Sequence, residues 1–174
     1  MTQVFISVGS NIEQEKHICA GLLALDKRYQ PITCSTVFES ESVGFAGDNF
    51  YNLVVAFHTT DSVAQVSAYL SLIEDENGRD RSGPRFSSRT LDLDLLLFGD
   101  TVVNSNDIVL PRPEIYDNAF VLLPLSQIAA KLTDPIKKLD YSTLWKNFDQ
   151  KKQKLWPITF PFPATINSSL EKQV

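Results

Sequence analysis

The chain has 174 residues, 43% hydrophobic and 21% charged, with a formal net charge of −5. That length suits one domain able to bury roughly two-thirds of the surface its unfolded form exposes, and the acidic balance excludes broad binding to nucleic acid or anionic membranes. No apolar run approaches the ~20 residues of a membrane span, the N-terminus lacks a signal-peptide pattern, and Cys19 and Cys34 form neither a CxxC pair nor a disulfide framework, so a cytoplasmic protein is expected.

Val4 to Val8 is a short apolar run stopping at Gly9-Ser10-Asn11, which reads as a strand ending in a tight turn. Ile18, Leu22 and Leu25 recur at helical spacing, predicting an amphipathic helix over 13–28. A second strand fits 32–40, a polar loop follows over 42–48, and 50–59 is strongly strand-like. Ser62 is a good N-cap for a helix carrying Val63, Val66, Leu70 and Ile73 on one face to about Asn77. Residues 78–88 have no periodicity and predict a mobile loop. Leu91–Phe98 reads as a strand closed by Gly99-Asp100 in a hairpin turn into Val102-Val103. Helices are expected over 120–128 and 142–153. From Trp156 the run Pro-Ile-Thr-Phe-Pro-Phe-Pro predicts no regular structure, so residues 1–155 form the domain and 156–174 an extension. Strands and helices alternate without long crossovers, which favours an antiparallel or mixed α+β sandwich.

The sharpest chemistry lies in Arg89-Thr90-Leu91-Asp92-Leu93-Asp94. Residues i and i+2 of a strand share a face, so Asp92 and Asp94 project together while the leucines line the other side. Two adjacent carboxylates repel, and a hard cation such as Mg²⁺, which takes one or two carboxylates plus phosphate oxygens, removes that difficulty. The same alternation also fits a half-exposed strand face wetted by water. The preceding loop weighs against that reading. Four of the six arginines, Arg79, Arg81, Arg85 and Arg89, fall within eleven residues of this acidic chain. Guanidinium groups bind phosphate oxygens bidentately, so the loop and the aspartates together describe a polyphosphate site. No Walker A motif is present, and His17 and His58 read as structural or solvated.

These residues resemble the 6-hydroxymethyl-7,8-dihydropterin pyrophosphokinase family over roughly residues 3–130. The likeness rests on Gly9-Ser10-Asn11, Tyr51-Asn52, Glu74, the Arg89–Asp94 signature with Phe98-Gly99, and Phe120-Val121-Leu122 with Pro124-Leu125. The resemblance implies a ferredoxin-like α+β sandwich with mobile catalytic loops, and a monomeric enzyme that transfers pyrophosphate from ATP to the pterin hydroxymethyl group, releasing AMP. It implies two Mg²⁺ ions on Asp92 and Asp94, catalytic roles for Arg79 and Arg89, and nucleotide contacts from Glu74, Arg81, Arg85, Phe86, Leu95 and Arg112. It also implies a pterin held between Phe50 and Phe120, with Asn52 and the backbone around Val43 and Gly44 meeting its polar edge.

The chain departs from the family pattern on the nucleotide side. Arg112 stands where a histidine is usual, Asn118 where an arginine is usual, and Asp107 where a basic residue can occur. Glu41-Ser42 replaces typical prolines. A paralogue with lost or altered activity, binding a pterin or nucleotide as a regulatory module, is the alternative these changes raise.

Overall fold

A computed structural model describes residues 1–166. Strand β1 (Thr2–Ser10) lies inside an antiparallel sheet, between β4 (Phe50–Thr59) and the edge strand β5 (Asp92–Phe98). On the far side of β4 run β2 (Thr33–Cys34) and β3 (Val37–Ser40), and β8 (Leu155–Ile158) completes that edge. A separate two-stranded pairing joins β6 (Val103–Asn104) to β7 (Val109–Leu110). Helices α1 (Gln14–Tyr29) and α2 (Val63–Glu76) cover one face of the sheet; α3 (Glu114–Asp117), α4 (Ala119–Ile128) and α5 (Tyr141–Asn147) lie on the other. This is the antiparallel, helix-flanked α+β sandwich expected from the chain.

Alternation along β1 and β4 divides the two cores. Val4, Ile6 and Val8 of β1, with Leu53, Val55 and Phe57 of β4, face α1 and α2, where Ile18, Leu22, Leu25, Val66, Leu70 and Ile73 meet them. Phe5, Val54 and Ala56 point the opposite way, against Val121, Leu122 and Leu125 of α4 and Tyr141 of α5. Each fully buried aliphatic side chain contributes roughly 1.5–3 kcal/mol of transfer free energy, so neither face is dispensable. α2 starts on a complete capping box: Ser62 Oγ accepts from Gln65 N, and Gln65 Oε1 accepts from Ser62 N.

Several local expectations need correction. The strand expected over 32–40 is split by a bulge. Cys34 pairs with Val55 but Phe38 with Asn52, leaving one extra residue on the outer strand. Ser35 fills the gap, its N–H donating to Val54 O while its hydroxyl accepts from Val54 N, both at 2.9 Å. Gly99-Asp100 does make a turn, with Thr101 N donating to Phe98 O. The chain then leaves β5, however, and Val103 pairs with Leu110 instead. The helix expected over 142–153 ends at Asn147, because Asp149 accepts from Lys151 N and bends the backbone into a side-chain-stabilised turn.

The extension expected to lack regular structure begins as a strand. Leu155–Ile158 pairs with β3, placing Pro157 opposite Phe38 on an outer edge where the missing N–H is tolerated. Phe160 and Ile166 then enter the first core. The rest of that expectation, from residue 167, lies outside the described residues.

Under α4 and α5, the buried Asp134 accepts hydrogen bonds from Tyr116 Oη at 2.7 Å and Tyr141 Oη at 2.8 Å, and from the backbone N–H groups of Ile136 and Lys137. Burial and this carboxylate raise both phenol pKa values. Tyr141→Phe is expected to cost about 1–2 kcal/mol, read as a lower midpoint in urea at unchanged slope.

Candidate functional site

The helices cover only part of the second sheet face. Phe5, Val54, Ala56, Leu96 and Leu97 lie beneath α4 and α5. Towards the end where β1 stops and β5 begins, that face carries Ser7, Gly9, Asn52, Asp92 and Asp94, and here it opens into a cavity of about 380 Å³. The sheet register produces this grouping: Gly9 pairs with Asn52 on one side and Asp92 on the other, and Ser7 pairs with Asp94. Loop 41–49 and loop 77–91 form the remaining walls together with residues 112–121.

Asp92 and Asp94 share this face, as the alternation predicts, with side chains 35% and 31% exposed. Each meets an arginine. Arg79 Nη1 donates to Asp92 Oδ1 at 2.9 Å and also to Leu91 O, while Arg112 Nη2 lies 3.3 Å from Asp94 Oδ1. Burial, then the charge of Asp92, pushes the Asp94 carboxyl up to about 7, against the opposing pull of Arg112. Two carboxylates this close, one reluctant to ionise, favour a divalent cation. Among the described residues no third acidic, histidine or cysteine ligand joins them. The donor set therefore fits Mg²⁺ completed by phosphate oxygens and water, and does not fit a closed protein cage.

The arginines divide. Arg79, Arg85 and Arg89 line the cavity. The Arg89 guanidinium folds over its own loop, donating to Arg85 O and Pro84 O and to Ser87 Oγ. The Arg85 guanidinium lies over the Phe86 ring. Arg81 turns away from the cavity onto Asp75, at 2.9 Å, and Glu74. Glu74 is buried behind the site, where it accepts from Leu93 N at 3.0 Å and from Arg79. Burial raises its pKa, with the Leu93 N–H bond opposing. Glu74 thus holds the start of β5 to α2 and stands behind the cavity wall. Leu95 is also displaced from the expected site. It packs beneath α1 and α2, and Leu96, which alternation places on the same face as Asp92 and Asp94, borders the cavity instead. Asp107 lies in the turn between β6 and β7 and does not line the cavity.

On the other side Val43, Phe50, Asn52 and Phe120 line the cavity. Gly44 stands just behind, in the left-handed region at φ 82°, where a Cβ would come within 3.3 Å of the Phe86 ring. Phe45, which no periodicity singled out, packs edge-on against Phe50 at 6.4 Å. A Cβ on Gly9 would come within 2.7 Å of Asn52 Oδ1. Gly9→Ala is therefore expected to push Asn52 out of place and raise the Michaelis constant for whatever ligand that amide reads, about tenfold for one lost hydrogen bond; steady-state kinetics with each substrate varied in turn checks this.

Asn11 is the functional residue the sequence undervalued. It is buried at 1% exposure. Its Nδ2 donates to Asp48 O at 3.1 Å and Ser88 Oγ at 3.2 Å, its Oδ1 accepts from Arg89 N at 2.7 Å, and its own N–H donates to Arg89 O. One side chain thus ties together both loops that arch over the cavity. His17 has no place in the site; its Nδ1 lies 2.7 Å from Ile12 O.

Comparison with known proteins agrees with this geometry. Residues 5–130 match the protein-family model for 7,8-dihydro-6-hydroxymethylpterin-pyrophosphokinase. A 2-amino-4-hydroxy-6-hydroxymethyldihydropteridine pyrophosphokinase of Bacillus subtilis (strain 168) is 30% identical over 132 residues, covering 74% of this chain and 78% of the relative. The protein of that name from Pseudomonas aeruginosa is 34% identical over 137 residues, covering 76% and 84%. The crystal structure of Plasmodium falciparum HPPK-DHPS wild type with SDX-DHP superposes with a TM-score of 0.62 at 13% identity. That match covers 87% of this chain but 45% of the solved one, so the likeness to it is one of fold.

Proposed function

Because the chain belongs to the 7,8-dihydro-6-hydroxymethylpterin-pyrophosphokinase family, we propose the cavity over Asp92 and Asp94 as its active site. The chain is a pyrophosphokinase of folate biosynthesis: it transfers pyrophosphate from ATP to 6-hydroxymethyl-7,8-dihydropterin, giving the pterin diphosphate and AMP. The observation that carries the site assignment is the convergence of the aspartate pair and four arginines, Arg79, Arg85, Arg89 and Arg112, on one cavity. An inactive relative is not favoured, since Arg112 supplies a cation where the usual histidine is missing and Asp107 stays clear of the cavity.

Asp92 and Asp94 are the proposed ligands of two Mg²⁺ ions. Bound there with ATP, Mg²⁺ neutralises phosphate charge and lowers the pKa of a coordinated hydroxyl. Arg79 and Arg112, which pair with these carboxylates here, would turn to phosphate oxygens once the carboxylates held a cation, a geometry guanidinium groups match bidentately. Arg79 and Arg89 are the proposed catalytic cations. Arg85 and Phe86 belong to the loop that closes over the nucleotide and excludes water. Phe50 and Phe120 are proposed to stack on the pterin, with Asn52 and the backbone at Val43 and Gly44 reading its polar edge. The two free cysteines support a reducing compartment such as the cytoplasm. No helix among the described residues is long and apolar enough to cross a membrane.

The test is direct. The protein is incubated with Mg²⁺, ATP and hydroxymethyldihydropterin, and AMP and the pterin diphosphate are separated. Equimolar formation of both, lost when Mg²⁺ is chelated and in Asp92→Ala, is the expected result. AMP no higher than in the Asp92→Ala control would sink the assignment.

A further inference from the structure

Gln153 lies beyond the residues matched by the family model, yet it reaches the wall of the cavity. Its Oε1 accepts from Ala119 N, the first N–H of α4, at 2.7 Å, and its Nε2 donates to Asn118 Oδ1 at 3.1 Å. Asn118 is the N-cap residue of α4 and lines the cavity, but its side chain makes no capping hydrogen bond. That is unusual. An Asn at this position normally turns its carbonyl back onto the second or third N–H of its own helix, worth about 1 kcal/mol. Here a residue 34 positions downstream satisfies the first N–H, and the Asn118 side chain is held off the helix.

The orientation of both amides follows from chemistry. A backbone N–H can only donate, so the Gln153 atom facing Ala119 must be its oxygen. The Gln153 atom facing Asn118 is then its NH₂, and the Asn118 atom facing Gln153 must be its oxygen. The Asn118 NH₂ is left over. It has no hydrogen-bond partner among the described residues, on a residue that borders the cavity beside Arg112, Glu114 and Phe120.

We propose that Gln153 is a positioning residue that fixes Asn118 as a neutral hydrogen-bond donor into the cavity, for an acceptor oxygen of a bound substrate. The inference rests on the active-site reading above and adds to it a residue from the C-terminal segment. The acceptor is a carbonyl or phosphoryl oxygen, and titrating the two substrates separately identifies which. An uncharged donor at this point selects an acceptor without adding to the positive charge that Arg79, Arg85, Arg89 and Arg112 already supply.

Gln153→Glu provides the discriminating test. A carboxylate still accepts from Ala119 N, so the α4 cap survives. It cannot donate to Asn118 Oδ1, so Asn118 turns its NH₂ towards residue 153 and its carbonyl towards the cavity. Dissociation constants are measured by calorimetry for 6-hydroxymethylpterin and for a non-hydrolysable ATP analogue with Mg²⁺. Gln153→Glu is expected to weaken one of the two about tenfold, with the melting temperature within a few degrees of wild type. Asn118→Ala should weaken the same ligand by the same factor, and the double variant no further. Unchanged affinity for both ligands in Gln153→Glu, or fully additive losses in the double variant, overturns the inference while leaving the active-site assignment intact. A wild-type chain that binds neither ligand overturns both.

Discussion

Asp94→Asn is expected to abolish pyrophosphoryl transfer while making the ligand-free protein more stable. The two effects share one cause. Asp94 lies on the sheet face beside Asp92, and burial with that neighbouring charge pushes its carboxyl up to about 7. A folded-state value above the unfolded one, ~3.9, means the unfolded chain gives up its proton first as pH rises. The native state is then penalised progressively between about pH 4 and pH 7, and the whole penalty is present above that range. Asn carries no such penalty, and Arg112 keeps Glu114 as a partner at 3.2 Å. Without divalent metal the variant should melt about 2–6 °C higher at pH 8, from about 1–2 kcal/mol of relieved repulsion. Near pH 4, where Asp94 is largely protonated in both states, the two melting curves should approach each other.

Activity moves the other way. Replacing the carboxylate proposed to hold Mg²⁺ by a neutral amide should lower AMP formation by on the order of 10²- to 10³-fold. Raising Mg²⁺ should add less stability to the variant than to wild type, since ligand binding stabilises only in proportion to affinity. A variant that melts at or below the wild-type temperature at pH 8 would show that Arg112 and Arg79 already offset the repulsion fully. Retained turnover would show that Asp92 alone holds the metal.

The residues that carried the functional reading were legible because their spacing is set by the strand itself. Asp92 and Asp94 must share a face whatever surrounds them, and Ile18, Leu22, Leu25, Val66, Leu70 and Ile73 must share theirs on helices. Features that depend on partners distant in the chain were not legible. Alternation alone would send Leu97 to the face of Leu91, Leu93 and Leu95, but a bulge set by pairing with Phe5 and Ile6 brings it beside Leu96 in the second core. Arg81 reads like its three neighbours in the loop, yet Asp75, six residues back on α2, draws it away. Leu155–Ile158 carries a proline, and only the unpaired outer edge of β3 makes it a strand. The cap that Gln153 supplies to α4 likewise has no local signature, because the ordinary signature residue, Asn118, is present and diverted.

Asn11→Ala should have a larger effect than its place in a tight turn implies. Its side chain makes three of the bonds that fix loops 41–49 and 77–91, and at 1% exposure no water can readily replace it. Truncation leaves Asp48 O short of a donor and Arg89 N short of an acceptor. Each buried group left unpaired costs about 1–3 kcal/mol, so a total loss of about 2–4 kcal/mol is expected, read as a lower midpoint in urea. The kinetic effect follows from what the bonds hold. Arg89 is anchored to the end of β1 by its own backbone, N–H to Asn11 Oδ1 and C=O to Asn11 N. Without the first bond its guanidinium loses a fixed origin at the cavity wall, and misplacing Arg89, a proposed catalytic cation, should cost up to about 10²-fold in rate. Asn11→Asp separates the two roles. Its carboxylate still accepts from Arg89 N but faces Asp48 O with no donor between them. Loop 41–49 should therefore loosen while Arg89 stays in place: Asn11→Asp should raise the Michaelis constant for the pterin with little change in kcat, whereas Asn11→Ala should lower kcat as well. Equal kcat in the two variants would show that Arg89 is held by its loop alone.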